Sequence, residues 1–327
     1  LDCFAGPGRY EFAGQPVDGS PVIAIRAAKQ FLATHSGHGL NVWLTEKDQQ
    51  QVRQLERHLQ PLKPYSPNLS VNLLNEDSTS FISDLLKQIP SSVPSFFMID
   101  PYGHPLTLPA IKDILSRQRT EALITLMWYR INMDLSNPMV QANVDSLFGD
   151  AQWRSQPFMI QKGIARENSF LEYFISRLNA NARYVLPFRI GFDPEDKMKG
   201  ERTKYYLLHA SNNPRAVLLM KEVMWPLGDE DGTFDFSAES QGVLISRTPQ
   251  LDELRGILLR LFEGRELAFD AIREQTWRLP FVEKHYREVI QDLRANGIVT
   301  VTPISSKKSG LRGRDLVRFA KTNLSKR

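Results

Sequence analysis

The sequence has only one cysteine, Cys3, so no intrachain disulfide is available and a reducing, cytoplasmic setting is expected. No apolar run approaches the roughly 20 residues that a bilayer-spanning helix needs, and no signal peptide is visible. The histidines show no metal-ligand spacing with Cys3, so no metal is assigned. There is no internal repeat. What is present is ordinary globular material: 42% hydrophobic and 24% charged residues, with a length of 327 that suggests two domains.

Charge is unevenly placed. The chain carries a formal +4, but the stretch from Ser305 to Arg327 alone holds eight basic residues and one acidic, so everything before it is net acidic. A local basic patch is the electrostatic footprint of a nucleic-acid partner, with a solvated tail as the alternative.

Apolar periodicity predicts alternating strands and helices through the first part of the chain. Strands are expected at 1–4, 41–45, 71–74, 95–99 and 122–127, with 183–190 and 205–210 as candidates for a further, antiparallel pair. Helices are expected from Ser20, with Pro21 in its first turn, to about 35, and at 48–59, 80–88, 108–116, near 138–147 and at 169–180. Strands separated by helix-length segments imply a parallel sheet. The chain begins inside its first strand, so its N-terminus reads as truncated. Residues 227–249, acidic and without helical period, read as a linker. Beyond them, Leu251, Leu254, Leu258, Leu261 and Phe262 mark one helix face. Leu267, Ala271 and Ile272 mark a second helix, and Val282, Tyr286, Val289, Ile290 and Leu293 a third. Two short strands, 298–302 and 315–320, flank a basic loop. Three helices and a basic hairpin is the order of a winged helix-turn-helix.

The opening "LDCFAGPGRY" sends a strand into a glycine turn, Gly6-Pro7-Gly8, where backbone approaches a ligand closely. A dinucleotide turn asks for a third glycine where this chain has Glu11, and a carboxylate beside a pyrophosphate is repulsive. A cationic sulfonium cofactor suits the acid at the strand end instead, with Asp2 supplying it and Gly6 and Gly8 allowing close approach. Glu46 ends the second strand, where it can accept ribose hydroxyls. Asp77 follows the third, where it can accept from an adenine amino group. Asp100-Pro101-Tyr102-Gly103 ends the fourth.

In that order these signals resemble a class I S-adenosylmethionine-dependent methyltransferase. More closely, "DCFAGPGRY", "GSPVIAI", "FMIDPYG", "TLMWYRIN" and "YYLLHASNNPRAVLLMKEVMW" resemble the three-Cys-motif partner proteins, the TcmP family, over most of the chain. The resemblance implies a Rossmann-like sheet with helices on both faces over residues 1–226 and a winged helix over 250–327. It implies S-adenosylmethionine held by Asp2, Ala5, Gly6, Gly8, Glu46 and Asp77, and a partner protein bearing a three-cysteine motif.

Asp100, Pro101 and Tyr102 are similar to the Asp/Asn-Pro-Pro-aromatic motif of amino methyltransferases acting on nucleobases. There, a side chain and a backbone carbonyl accept hydrogen bonds from the target amine while an aromatic ring stacks on the base. Here the second proline is missing and the aromatic has moved up one place, nearer to the Asp-Pro-Phe-Gly of transfer-RNA guanine dimethyltransferases. Packing of Tyr102 on the sheet is the alternative role. Trp128, Tyr129 and Arg130 are expected beside the substrate, with Trp128 favoured for the core and Arg130 for function. In the third C-terminal helix, Lys284, Arg287, Gln291 and Arg294 form one stripe suited to a groove. Lys307, Lys308, Arg312 and Arg314 form the wing, with Gly310 and Gly313 lending it flexibility. The expected activity is methyl transfer to nucleic acid at an exocyclic base nitrogen. The alternative is a non-catalytic fold that binds nucleic acid or the three-cysteine partner.

Overall fold

A computed structural model describes residues 1–12, 14–101, 107–192, 202–227, 235–236, 251–304 and 310–320. Tyr102 and Gly103, Lys307 and Lys308, and nearly all of the expected linker lie outside the described residues. The fold is mixed α/β with several small sheets.

The elements run β1 Arg9–Phe12, β2 Gln15–Asp18, α1 Ser20–Thr34, β3 Leu40–Thr45, α2 Gln49–Leu59, β4 Leu69–Leu74, α3 Ser78–Gln88, β5 Ser95–Ile99 and α4 Leu108–Ser116. They continue β6 Thr120–Leu126, α5 Trp128–Asp134, α6 Gln141–Phe148, α7 Gly163–Leu178, β7 Tyr184–Gly191, β8 Thr203–Ser211, α8 Pro214–Met224 and β9 Asp235–Phe236. The last are α9 Leu251–Phe262, β10 Glu266–Ala268, α10 Phe269–Gln275, α11 Glu283–Ala295, β11 Val299–Thr302 and β12 Leu316–Phe319. None of the described helices is long and apolar enough to cross a membrane. The chain divides into two compact units, Leu1–Val185 with Tyr205–Asn212, and Leu186–Lys204 with Asn213–Arg327.

In the first unit β3 pairs with β4 and β5 with β6, both parallel. The expected first strand is shorter than predicted. Only Asp2 forms bridges, one to Leu44 and one to Met98, both parallel. Its neighbours still hydrogen-bond on both sides: Asp2 N–H to the Trp43 carbonyl at 2.8 Å, Cys3 N–H to Met98 at 2.9 Å, and Ala5 N–H to Thr45 at 3.0 Å. Leu1–Cys3 thereby joins the β3–β4 pair to the β5–β6 pair. The glycine turn cuts the ladder off after Ala5, because Gly6 and Gly8 both take left-handed φ, +61° and +80°. β8 lies antiparallel to β6, so the parallel part of the sheet ends there. A buried apolar run reads the same in either direction, so spacing does not fix a strand's sense.

The β1–β2 hairpin, α5, α8, β9 and β10 have no counterpart in the expected pattern. The β1–β2 hairpin occupies the space between the glycine turn and α1, and α5 follows β6 directly. The core beneath is aromatic, with Trp128 against Phe170 at 4.8 Å between centroids and Phe148 meeting Phe158, Phe170 and Phe174. Trp128 is buried, in keeping with a core role. Arg130 is not: its side chain is 55% exposed and pairs with Asp134 one turn on at 3.3 Å, so the argument from a buried guanidinium does not apply.

In the second unit β12 is flanked by β10 and β11, antiparallel to both. β10 leaves no mark in the sequence pattern because three residues are too few to show a period. Leu254, Leu258, Phe262, Tyr286, Val289, Ile290 and Leu293 fill the core of α9 and α11, while Leu261 falls off the stripe and is exposed. The second helix starts at Phe269, so Leu267 belongs to β10.

Candidate functional site

Strands of the first unit end along one edge, and their caps build a pocket there. After β3, Glu46 is held at both oxygens: Oε2 accepts from Gly6 N–H at 3.0 Å and Oε1 from Asp48 N–H at 2.8 Å. Asp48 caps α2 by accepting from Gln50 and Gln51 N–H, at 2.7 and 3.1 Å. After β4, Asp77 caps α3 through Thr79 N–H at 2.8 Å. After β5 come Asp100, exposed, and Pro101, buried. These residues line a cavity of about 890 Å³ together with Cys3, Phe4, Gly6, Tyr10, Ser78 and Met127. Its acidic lining is Glu46, Asp48, Glu76, Asp77 and Asp100, relieved among the described residues by Lys47, which approaches Asp77 at 3.8 Å.

The floor is a hydrogen-bonded set of small polar groups. Thr45 Oγ1 donates to the Asp2 carbonyl at 3.1 Å, and Ser78 Oγ donates to Thr45 Oγ1 at 2.8 Å and to the Cys3 carbonyl. Asp2 sits below this surface. It is 7% exposed, and its carboxylate accepts from Ser20 Oγ at 2.6 Å and Phe4 N–H at 3.1 Å. Burial raises its pKa, and those two hydrogen bonds pull the other way. Burial likewise pushes the Cys3 thiol up to about 12, which makes it an inert core group.

Of the residues expected at a cofactor, Gly6, Glu46 and Asp77 line the cavity, while Asp2, Ala5 and Gly8 do not. Asp2 instead fixes the turn from beneath and ties it to Ser20, so Gly19, not Ser20, is the N-cap of α1. Gly8 is glycine because its φ of +80° suits no side chain well, and its open face lies against Leu55 of α2, not against the cavity. Asp100 and Pro101 line the cavity as expected. Tyr10, from the unforeseen hairpin, lines it too. Burial, and then the charges of Asp2, Asp100 and Glu46, raise its phenol. Tyr205, on β8, is raised by burial and then by the charge of Asp100. Tyr10 shows no local signal, because it reaches the site through tertiary pairing.

No protein-family model matches the chain, and no curated protein matches it. Among solved structures it is similar to a crystal structure of protein LPL1258 from Legionella pneumophila, of the family model DUF519. The identity is 14% over 68% of this chain and 80% of that one, with a TM-score of 0.39.

The basic residues of the second unit are less uniform than their spacing suggests. Lys284, Gln291 and Arg294 are exposed, but Arg287 is half-buried. Its guanidinium binds Glu283, with Nε to Oε1 at 2.7 Å, and lies 5.3 Å over the Phe269 ring. This corrects its place in a free stripe, because a four-residue spacing also brings Glu283 within reach. Glu288 is exposed on the same helix. Arg314 is exposed, whereas the Arg312 backbone N–H is held by Asp315 Oδ2 at 2.8 Å. Gly313 supplies close packing and not flexibility: a Cβ there would collide with the Asp270 carboxylate, and its carbonyl accepts from Asp270 N–H at 2.8 Å.

Proposed function

We propose that this chain is an S-adenosylmethionine-dependent methyltransferase that acts on nucleic acid at an exocyclic base nitrogen. The observation that carries the reading is the anchored pair of Gly6 and Glu46 at one part of an acidic cavity that also contains Asp100. The strand order β4, β3, Leu1–Cys3, β5, β6 and antiparallel β8 supports a Rossmann-like class I methyltransferase sheet. The order α9, β10, α10, α11, β11, β12 supports a winged helix.

The donor set fits the cofactor. Five carboxylates against one lysine disfavour a pyrophosphate and favour a cationic sulfonium nucleoside. Bound there, it supplies an electrophilic methyl group. Glu46, already oriented by two backbone N–H groups, accepts the ribose hydroxyls with its remaining lone pairs, and Asp77 accepts from the adenine amino group. Gly6 lines the cavity where the methionine portion would lie. On the acceptor side, Asp100 and the Pro101 carbonyl take hydrogen bonds from the target amine and aim its lone pair. Such a reaction needs alignment and exclusion of water more than a strong base. Lys284, Gln291, Arg294 and Arg314, with Lys307, Lys308 and Arg312, would hold the nucleic-acid backbone.

The second reading is a non-catalytic fold working with nucleic acid or a three-cysteine-motif protein. It is favoured by the fact that both Glu46 oxygens are already engaged by backbone. Calorimetry with S-adenosylmethionine, followed by mass spectrometry of nucleosides treated with wild type and Asp100→Ala, tests between them. The methyltransferase reading expects cofactor binding by both proteins and a new methylated nucleoside from the wild type alone. No binding up to millimolar cofactor would end it.

A further inference from the structure

The β1–β2 hairpin carries an exposed apolar face. Its register sets Tyr10 opposite Val17 and Phe12 opposite Gln15, so Tyr10, Phe12 and Val17 share one face of the ribbon. The other face is occupied: Arg9 Nε donates to Asp18 at 2.7 Å, and Arg26 binds the same carboxylate. On the apolar face Tyr10, Phe12 and Val17 are 52%, 72% and 45% exposed. Two four-residue strands thus present three exposed apolar side chains, none of them in a core cluster.

Tyr10 is nonetheless fixed. Its ring edge lies against Gly19 and its hydroxyl over Gly6, and a Cβ at either glycine would collide with it. The seat depends on both bare backbones. The ring so held lines the cavity beside Glu46 and Asp100. Phe12 extends the same face outward by one strand repeat. The result is an aromatic surface running from a carboxylate-lined pocket into solvent.

We propose that the hairpin is the base-holding element of the acceptor site, with Tyr10 and Phe12 stacking on a nucleobase whose amine edge faces Asp100. A flat ring with N–H₂ donors matches both halves of this surface: π-faces from the hairpin and acceptors from the carboxylates. The same carboxylates repel phosphate, so only the base enters and its backbone stays outside. The choice of an amine edge rests on the methyltransferase reading above; the stacking itself does not.

The test uses a fluorescein-labelled single-stranded oligonucleotide and anisotropy. The full chain carries alanine at Lys307, Lys308, Arg312 and Arg314, so that the basic C-terminal loop contributes least. Phe12→Ala and Tyr10→Ala should each weaken binding about 5- to 100-fold. Tyr10→Phe, which keeps the ring, should bind like its parent, and the salt dependence should be unchanged because no phosphate contact is lost. Calorimetry should show cofactor affinity unaltered by Phe12→Ala. Phe12 lies on the surface, so that variant is expected to fold even if Tyr10→Ala does not. Binding by Phe12→Ala within about twofold of the parent, well inside the stacking range, would overturn the proposal, as would a parent that binds no oligonucleotide. If the oligonucleotide result holds while S-adenosylmethionine fails to bind, the hairpin proposal stands and the methyltransferase reading falls. If the cofactor binds but neither ring matters to the oligonucleotide, the hairpin proposal falls and the methyltransferase reading stands.

Discussion

Lys221 of α8 offers a sharp thermodynamic test of the second unit. It is 1% exposed, and its Nζ donates to the carbonyls of Trp277 and Leu279 at 2.9 and 2.6 Å. Burial lowers its pKa to about 7; Glu222 opposes that shift and Arg273 adds to it. His285, itself lowered to about 4 chiefly by burial, stays neutral and does not compete for the proton. The neutral amine can still donate to both carbonyls, so deprotonation removes the cost of a buried charge without breaking the clamp. The sign follows from proton counting. Above about 7 the folded chain has released this proton, whereas the unfolded chain keeps it to about 10.5. Stability therefore rises with pH across that window, by up to about 1.4 kcal/mol per unit, and is flat below it. Lys221→Met retains an unbranched apolar stem and cannot titrate. The stability difference, wild type minus Lys221→Met, should grow by about 2–3 kcal/mol between pH ~7.5 and ~9.5 in urea titrations. Groups that titrate in both proteins cancel in that difference. A difference that stays level, or that shrinks as pH rises, would refute the argument that this ammonium is buried at a cost.

Other expectations are as direct. Glu46→Ala should lose charged hydrogen bonds of roughly 1.5–3 kcal/mol each to the cofactor and free the Gly6 N–H, read by calorimetry. Gly313→Ala should destabilise the second unit by about 1–3 kcal/mol in chemical denaturation, because the new methyl group displaces the Asp270 carboxylate. Replacing Lys307, Lys308, Arg312 and Arg314 with alanine should flatten the log–log salt dependence of duplex binding by up to about four times 0.9. Arg287→Ala should change that slope by less than one exposed basic residue would, since its guanidinium is half-buried and held on Glu283.

Much is legible in local pattern. The 3.6-residue period of Tyr286, Val289, Ile290 and Leu293 marks α11, and the apolar runs at 95–99 and 108–116 match β5 and α4 to the residue. Glu46, Asp77, Asp100 and Pro101 stand out because each sits just after a strand, a position that chain order alone reveals. The same reasoning puts Asp2 at the cofactor, yet a carboxylate at a strand end can point up into a pocket or down onto Ser20, and sequence does not choose. Gly8 and Gly313 suggest freedom for a ligand or a groove; instead Gly8 answers a left-handed turn and Gly313 leaves room for Asp270.

Chain order is enough to say where strands stop and which acids follow them, since both depend on neighbours in the chain. The direction of β8, the pairing of Arg287 with Glu283, the burial of Asp2 and the arrival of Tyr10 in the cavity with Asp100 come from the folded arrangement instead. Each of these turns on which partner reaches a group first. Tyr10 is the clearest case, held against Gly6 and Gly19, two glycines on either side of it in the chain, by a hairpin whose four-residue strands are too short to show a period of their own.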